Sequence, residues 1–172
     1  MGYGSACLNQ KIGGLAHPYR PSAIEKPLRA TGKPFLVLPV GRQGGIKGWN
    51  MSGWAVQGDN DGEVWRPSFE QPGILAQDHF RDKGYRWLVV RLTEGPKGGR
   101  KTIAVNGKVI AQFVRTGPPV EVKEEWWVTR SYPMPAGLLK NGPIEIRFTD
   151  PGIAIAAVAL SVERAPNSGS SR

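Results

Sequence analysis

The chain has 172 residues, of which 40% are hydrophobic and 22% are charged, and these proportions are those of an ordinary globular protein. Its 23 glycines and 15 prolines disfavour a helix bundle, because both residues interrupt helix interiors, and they favour an all-β domain with many turns. A single cysteine, Cys7, excludes a disulfide framework within the chain, and no apolar run is long enough to span a membrane.

The net charge of +9 is unevenly distributed, and most of the excess lies in the first 50 residues. Basic residues there are spread singly among prolines and glycines, without a run of adjacent lysines or arginines. A basic segment can neutralise phosphates, but this spacing argues against nucleic acid and favours a solvated arm or a contact with an acidic protein partner. The residues expected to make that contact are Lys11, Arg20, Lys26, Arg29 and Lys33.

Residues 1–34 are predicted to form an extended, Pro/Gly-rich N-terminal arm. The segment from Ser22 to Arg29 is expected to form one helical turn at most. Such an arm is ordered only where it lies on a surface, either that of its own domain or that of a neighbour. The expectation rests on prolines that recur at short intervals and defeat regular structure, namely Pro18, Pro21, Pro27 and Pro34.

From residue 35 the pattern changes to short apolar strands separated by turns. The stretch between Pro67 and Gly84 reads as irregular apart from one short strand. In chain order the predicted strands are Phe35–Val40, Trp49–Val56 with an interruption at Gly53, Ile74–Gln77, Tyr85–Thr93, Lys101–Val105, Lys108–Val114, Glu125–Tyr132, Ile144–Thr149 and Ile153–Val162. A polar turn at residues 58–62 leads into Glu63–Arg66.

Two of these signals are the strongest in the chain. The strand Tyr85–Thr93 carries apolar residues on both faces, which predicts a central position in a sheet. The pair Asn106-Gly107 stands between two apolar runs and supplies the two positive-φ residues of a type I′ hairpin turn. The sequence therefore predicts an all-β domain over residues 35–165, a β-sandwich of the jelly-roll class, followed by a flexible tail over residues 166–172.

The second half of the chain resembles the galactose-binding-like β-sandwich superfamily, which includes many carbohydrate-binding modules and accessory domains of glycoside hydrolases. The resemblance covers residues 85–163. It rests on the order of the segments YRWLVVRLT, KTIAVNGKVIAQFV, EWWVTRSYPMPAGLL and NGPIEIRFTDPGIAIAAVALSVE. It implies a sandwich fold and carbohydrate as a ligand.

The same resemblance implies a structural calcium ion near the chain ends of the sandwich, but the strand from Phe35 to Val40 carries no acid. Asp59, Asp61 and Glu63 could form an oxygen cluster for Ca²⁺ instead. The alternative is a polar turn with local hydrogen bonds, and no other cofactor is expected.

Tryptophan dominates the candidate binding residues, because sugar rings stack their C–H faces on aromatic rings and their hydroxyls need polar neighbours. The stretch from Gly58 to Phe69 offers that mixture, while two adjacent tryptophans on a later strand must point to opposite faces. For each tryptophan the alternative role is core packing. The predicted carbohydrate-binding residues are Trp65, Asn60, Asp61, Glu63, Arg66, Trp126 and Trp127.

We expect a non-catalytic binding module with carbohydrate as its partner. The location stays open, extracellular or cell-surface for a carbohydrate module and the virion for an assembly component. The alternative is a structural component of a multi-subunit assembly, such as a virion decoration, attachment or surface-layer protein, whose basic arm contacts neighbouring subunits. The fold serves both roles. An enzyme is the last choice, since Asp78, His79 and Asp82 form the one plausible acid–base group and a loop histidine among charges is usually a surface residue.

Overall fold

The structure is a computed structural model. It describes residues 21–38, 49–52, 54–59, 62–67, 72–93, 100–114, 127–149, 155–166 and 168–169. In chain order its elements are α1 (Pro21–Arg29), β1 (Phe35–Leu38), β2 (Trp49–Ser52), β3 (Trp54–Asp59), β4 (Gly62–Pro67), β5 (Gly73–Phe80), β6 (Trp87–Thr93), β7 (Arg100–Val105), β8 (Lys108–Val114), β9 (Trp127–Pro133), β10 (Gly142–Thr149), β11 (Ile155–Ser161) and β12 (Ser168–Gly169).

The strands form two antiparallel sheets. The seven-stranded sheet has the order β12-β9-β6-β11-β4-β3, and β1 also pairs with β11. The five-stranded sheet has the order β2-β5-β10-β7-β8. The predicted all-β sandwich of the jelly-roll class is therefore confirmed, and none of the described helices is long and apolar enough to cross a membrane.

The main core lies between the two sheets. On β10 the fully buried Ile146 and Phe148 alternate with the half-exposed Glu145, Arg147 and Thr149, as the alternating sequence predicts. On β6 the buried Leu88, Val90 and Leu92 enter the same core. Burial of alternate apolar residues from both sheets holds the sandwich together.

The prediction that β6 is central is confirmed, because it pairs with β9 on one side and β11 on the other. Its opposite face is buried as well. Val89 packs there in a second cluster with Ala157, Ala159 and two residues of α1, Ile24 and Leu28.

The limit of one helical turn over Ser22–Arg29 is wrong, because α1 spans nine residues from Pro21 to Arg29. Ile24 and Leu28, four residues apart, share one helix face and are 1% and 0% exposed. Pro21 suits the first helical position, where an N–H has no partner within the helix. Pro27 removes one helical hydrogen bond, but burial of the apolar face against the sheet outweighs that cost.

Two strand predictions also differ from the structure. The predicted single strand Trp49–Val56 consists of β2 and β3, which belong to different sheets. The stretch predicted as mostly irregular contains β5, an eight-residue strand whose buried residues Leu75 and Phe80 lie five residues apart. This spacing departs from strict alternation because the register with β10 shifts between Gln77 and Phe80.

The Asn106-Gly107 hairpin is confirmed, with positive φ angles of 49° at Asn106 and 82° at Gly107. Several predictions fall outside the described residues. They concern the arm before residue 21, the predicted sugar ligands Asn60 and Trp126, and Asp61, which is predicted for both sugar and calcium. The division of the chain at residues 34 and 165 stays a prediction, although its arm segment is helical and packed over residues 21–29.

Candidate functional site: a polar pocket at one end of the five-stranded sheet

A pocket of about 610 Å³ lies at one end of the five-stranded sheet. This volume falls within the range of about 300–1,000 Å³ that small-molecule sites occupy. Its walls come from β5, β10, the β7–β8 turn and the segment that joins β9 to β10. The lining residues are Ala76, Gln77, Asp78, Asn106, Gly137, Leu138, Lys140, Asn141, Pro143, Ile144 and Glu145.

The polar groups of the pocket include both hydrogen-bond donors and acceptors. Asp78 and Lys140 are exposed, and Glu145 is half-buried. Carboxylates accept hydrogen bonds, the lysine ammonium donates them, and the amides do both. Apolar surface beside them comes from Leu138 and Pro143. The pocket can therefore meet a ligand that carries many hydroxyls and an apolar face.

Asn106 braces the pocket from the β7–β8 turn. Its Oδ1 accepts a hydrogen bond of 2.8 Å from the Glu145 amide, and its Nδ2 donates one of 3.2 Å to the Leu138 carbonyl. Its backbone N–H also donates to the Glu145 carbonyl at 2.8 Å. One side chain thus joins the turn to β10 and to the loop before β10, and the positive φ that it needs is one that Asn tolerates.

Asn141 anchors the same loop to the β5–β6 connection. Its Oδ1 accepts a hydrogen bond of 2.8 Å from the Asp82 amide. Oδ1 of Asp82 accepts in turn from the amides of Gly84 at 3.0 Å and Tyr85 at 3.1 Å. Burial raises the pKa of the Tyr85 hydroxyl above its ordinary value, and the negative charge of Asp82 raises it further.

The pocket continues onto the outer face of the five-stranded sheet. Glu145 belongs to both, and its Oε1 accepts hydrogen bonds from Arg147 Nη2 at 3.0 Å and Nε at 3.3 Å. In register, Arg147 lies between Ile74 of β5 and Ala104 of β7. The described helix α1 packs on the other sheet, so it does not cover this face.

The predicted sugar-binding hairpin lies elsewhere, in the seven-stranded sheet. Trp65 of β4 pairs with Val56 of β3 and with Ile155 of β11, a residue of the main core. The same hairpin pairs Glu63 with Gly58, Arg66 with Ala55 and Asp59 with Gly62, while Trp127 of β9 pairs with Thr93 of β6. The structure therefore does not bring these residues to the pocket, and their role in binding stays a prediction.

The calcium prediction is untested. It involves Asp61, which lies outside the described residues, together with Asp59 and Glu63. Among the side chains that the structure describes, no three His, Cys, Asp or Glu residues are grouped as a metal site.

The predicted partner-contact residues of the arm divide in the same way. Lys26, Arg29 and Lys33 are exposed on and after α1. Lys11 and Arg20 precede the described part of the chain.

Sequence reasoning missed the pocket because it searched for tryptophan. Asn106 was interpreted only as a turn residue, and Asp78 only as a neighbour of His79, which is exposed. One tryptophan, Trp49, has a backbone position in register with a pocket residue, Gln77. One sequence feature does point toward the pocket. Asn-Gly occurs twice, at Asn106-Gly107 and at Asn141-Gly142, and both asparagines line the pocket.

No family model matches the chain, and no curated protein matches it. Among solved structures the chain is similar to a family 35 carbohydrate-binding module from Clostridium thermocellum, with 15% identity, coverage of 74% of this chain and 97% of that one, and a TM-score of 0.46. It is also similar to a family 29 carbohydrate-binding module, with 15% identity, coverage of 75% and 88%, and a TM-score of 0.46. A variant of a family 29 module made to probe ligand recognition has 15% identity to this chain, with coverage of 76% of this chain and 93% of that one, and a TM-score of 0.47.

At these identities and TM-scores, the likeness describes an arrangement of strands and assigns no ligand to this chain. The alternative role, a subunit of a virion or surface layer, stays a prediction.

Proposed function

We propose that this protein is a non-catalytic carbohydrate-binding module and that the pocket at the end of the five-stranded sheet holds the sugar. The observation that carries the proposal is the pocket itself. Its cavity of about 610 Å³ is lined by polar side chains that include Asp78, Lys140, Asn141 and Glu145.

The chemistry of the pocket suits a sugar ring. Each hydroxyl of a sugar can donate and accept a hydrogen bond, so it is best matched by neighbouring acceptors and donors. Asp78 and Glu145 supply the acceptors, and Lys140 supplies the donors. The apolar side chains of Leu138 and Pro143 suit the C–H groups of the ring.

Rigidity supports the same proposal. Asn106 and Asn141 fix the loop around Lys140 through hydrogen bonds that use the protein's own backbone. A site fixed before binding loses less conformational freedom when the ligand arrives. We therefore expect little rearrangement of this loop on binding.

The β3–β4 hairpin remains a second proposed location for the sugar. Its candidate residues are Trp65, Asn60, Asp61, Glu63 and Arg66, with Trp126 and Trp127 on or beside β9. The pairing of Trp65 with the core residue Ile155 makes packing the competing role. An experiment must therefore measure folding and binding separately.

The test is a glycan array probed with the wild-type protein, followed by titration calorimetry on the glycan that binds. Asp78→Ala and Lys140→Ala are the pocket variants. Their matched controls are Glu163→Ala and Lys83→Ala, which remove one exposed charge of the same sign outside the pocket. Trp65→Ala tests the hairpin, with its unfolding midpoint measured beside its affinity.

We expect each pocket variant to bind about tenfold or more weakly, the size of one lost hydrogen bond to a charged group, and each control to bind like the wild type. Loss in Trp65→Ala alone, with an unchanged unfolding midpoint, would move the site to the hairpin. Absence of binding to every glycan would overturn the carbohydrate ligand. Release of sugar product on incubation would overturn the non-catalytic role.

A further inference from the structure

The surface around α1 carries a group of exposed basic side chains that the pocket does not use. Lys26 and Arg29 lie on the helix, Lys33 follows it, and Arg164 follows β11. We call these four residues the basic surface. The exposed acids among them are Glu163 and the partly exposed Glu25, so cations outnumber acids by four to two.

Two of the four cations are held by stacking on aromatic rings. The guanidinium carbon of Arg29 lies 5.6 Å from the centre of the Phe35 ring, and that of Arg164 lies 5.7 Å from the centre of the Trp87 ring. A guanidinium stacked in this way keeps its planar edge of N–H donors in a fixed direction. Arg29 also bonds Glu25 at 2.9 Å, yet its side chain remains 71% exposed.

Strand register places the two stacks near each other. Phe35 of β1 pairs with Ser161 of β11, and Ser161 pairs with Trp87 of β6. Two strand spacings separate the rings' backbones, which is about 10 Å. Both rings pack against the cluster under α1, so they share one face of the molecule.

Lys33 belongs to the same region. It precedes Pro34, whose carbonyl accepts a hydrogen bond of 3.1 Å from the amide of Val162. That bond brings the segment after α1 beside the segment that carries Arg164.

We infer that the basic surface binds an acidic polysaccharide through its carboxylate or sulfate groups, at a site separate from the pocket. Guanidinium groups bind such oxyanions with two parallel hydrogen bonds, and lysines add point charges around them. A linear polyanion with regularly spaced charges can meet several of these cations at once.

Two observations favour a polysaccharide over the other polyanions. Proteins that hold single-stranded nucleic acid stack its bases on available aromatic faces, but Phe35 and Trp87 are partly buried and carry guanidinium groups. A protein interface usually has an apolar centre. Among the described residues the exposed large hydrophobic side chain is Val109, which lies on the other sheet.

The test compares two triple variants with the same change in net charge. Lys26→Ala, Lys33→Ala and Arg164→Ala together remove cations of the basic surface. Arg81→Ala, Lys83→Ala and Lys108→Ala together remove one arginine and two lysines that are exposed elsewhere. Binding is measured to polygalacturonate, to heparin and to neutral dextran over a series of salt concentrations, with circular dichroism to check folding.

We expect the wild type to bind polygalacturonate or heparin and not dextran, and the two polymers distinguish carboxylate from sulfate recognition. The basic-surface variant should bind at least about tenfold more weakly, as when several exposed ion pairs are lost together, while the control variant stays within about twofold. The affinity of the basic-surface variant should also depend less on salt than that of the wild type, because fewer ions are released when it binds. Arg164→Lys, which keeps the charge without the planar stack, should show an intermediate loss.

Equal losses in the two triple variants would overturn the inference, because bulk charge would explain them. Tighter binding of wild type to single-stranded DNA or polyglutamate than to either polysaccharide would also overturn it, as would no binding to either. Lys140→Ala, which removes the cation of the pocket, should change this binding by less than about twofold. A loss there would mean that the polyanion occupies the pocket, so the separate surface would be wrong while the carbohydrate pocket would stand.

Discussion

The two sheets share one core but differ on their outer faces. On the seven-stranded sheet, the outer positions Val89, Ala157 and Ala159 are apolar, and α1 covers them with Ile24 and Leu28. On the five-stranded sheet, the outer positions of β10 are Glu145, Arg147 and Thr149, and they remain half-exposed. The composition of an outer face therefore tells whether another element covers it, and the open face is the one that leads into the pocket.

The largest effect is expected on the covered face. Leu28→Ala should lower the free energy of unfolding by about 2–5 kcal/mol, because it leaves a cavity under the helix at a fully buried position. Urea denaturation measures this change.

The control lies on the five-stranded sheet. Val109 is 51% exposed. Val109→Ala should therefore change the free energy of unfolding by less than about 0.5 kcal/mol. Equal effects at the two positions would contradict the contrast between the faces.

A smaller loss is expected at the end of the open face. Asn106→Ala removes two side-chain hydrogen bonds and places a residue that disfavours positive φ at 49°, so it should cost about 2 kcal/mol and weaken sugar binding. Asn106→Gly accepts the φ angle but still lacks both hydrogen bonds. Its loss should be smaller in denaturation, while its loss in sugar binding should match that of the alanine variant.

The free energy of unfolding should fall at alkaline pH because of Tyr85, which lies in the connection between β5 and β6. The pKa of Tyr85 is raised in the folded protein by burial and by Asp82, so the folded state holds this proton more tightly than the unfolded state. Its contribution to stability is therefore complete below about pH 10 and is lost as the pH rises through the raised pKa. Urea denaturation should be measured from about two pH units below to about one unit above the ordinary tyrosine pKa. The free energy of unfolding should fall more steeply with pH for the wild type than for Tyr85→Phe.

A change in stability as small as that at Val109 is expected at Arg147 on the open face. Its ion pair with Glu145 is exposed at both partners, so Arg147→Ala should lower the free energy of unfolding by less than about 0.5 kcal/mol. Sugar affinity should fall by a few-fold, because Glu145 loses the group that orients it. A large loss of stability with unchanged affinity would show that this face supports the fold and does not bind.

The sequence predicted those elements whose signal is local. The alternation on β10, the apolar faces of β6 and the Asn106-Gly107 turn each depend on neighbouring residues, and each is confirmed. Helix α1 depends on Val89 and Ala159, which lie far along the chain, so its prolines dominated the local pattern.

The pocket could not be predicted for the same reason. Asp78, Asn106 and Lys140 come from three separate parts of the chain and meet only when β5, β7 and β10 pair. The sequence shows that tryptophans are present and so suggests them as sugar-binding residues. Residue type alone does not say on which face of a strand a side chain lies.

The pairing of β1 with β11 sets an order for events during protein synthesis. Phe35 finds its partner Ser161 only after most of the chain has been translated, and α1 rests on the same late strand. Until β11 emerges from the ribosome, the surface that Ile24 and Leu28 cover lacks Ala157 and Ala159. Residues 21–38 therefore complete their packing late, although they precede the other described residues in the chain. This is the slow, long-range closure expected of a fold with many distant contacts.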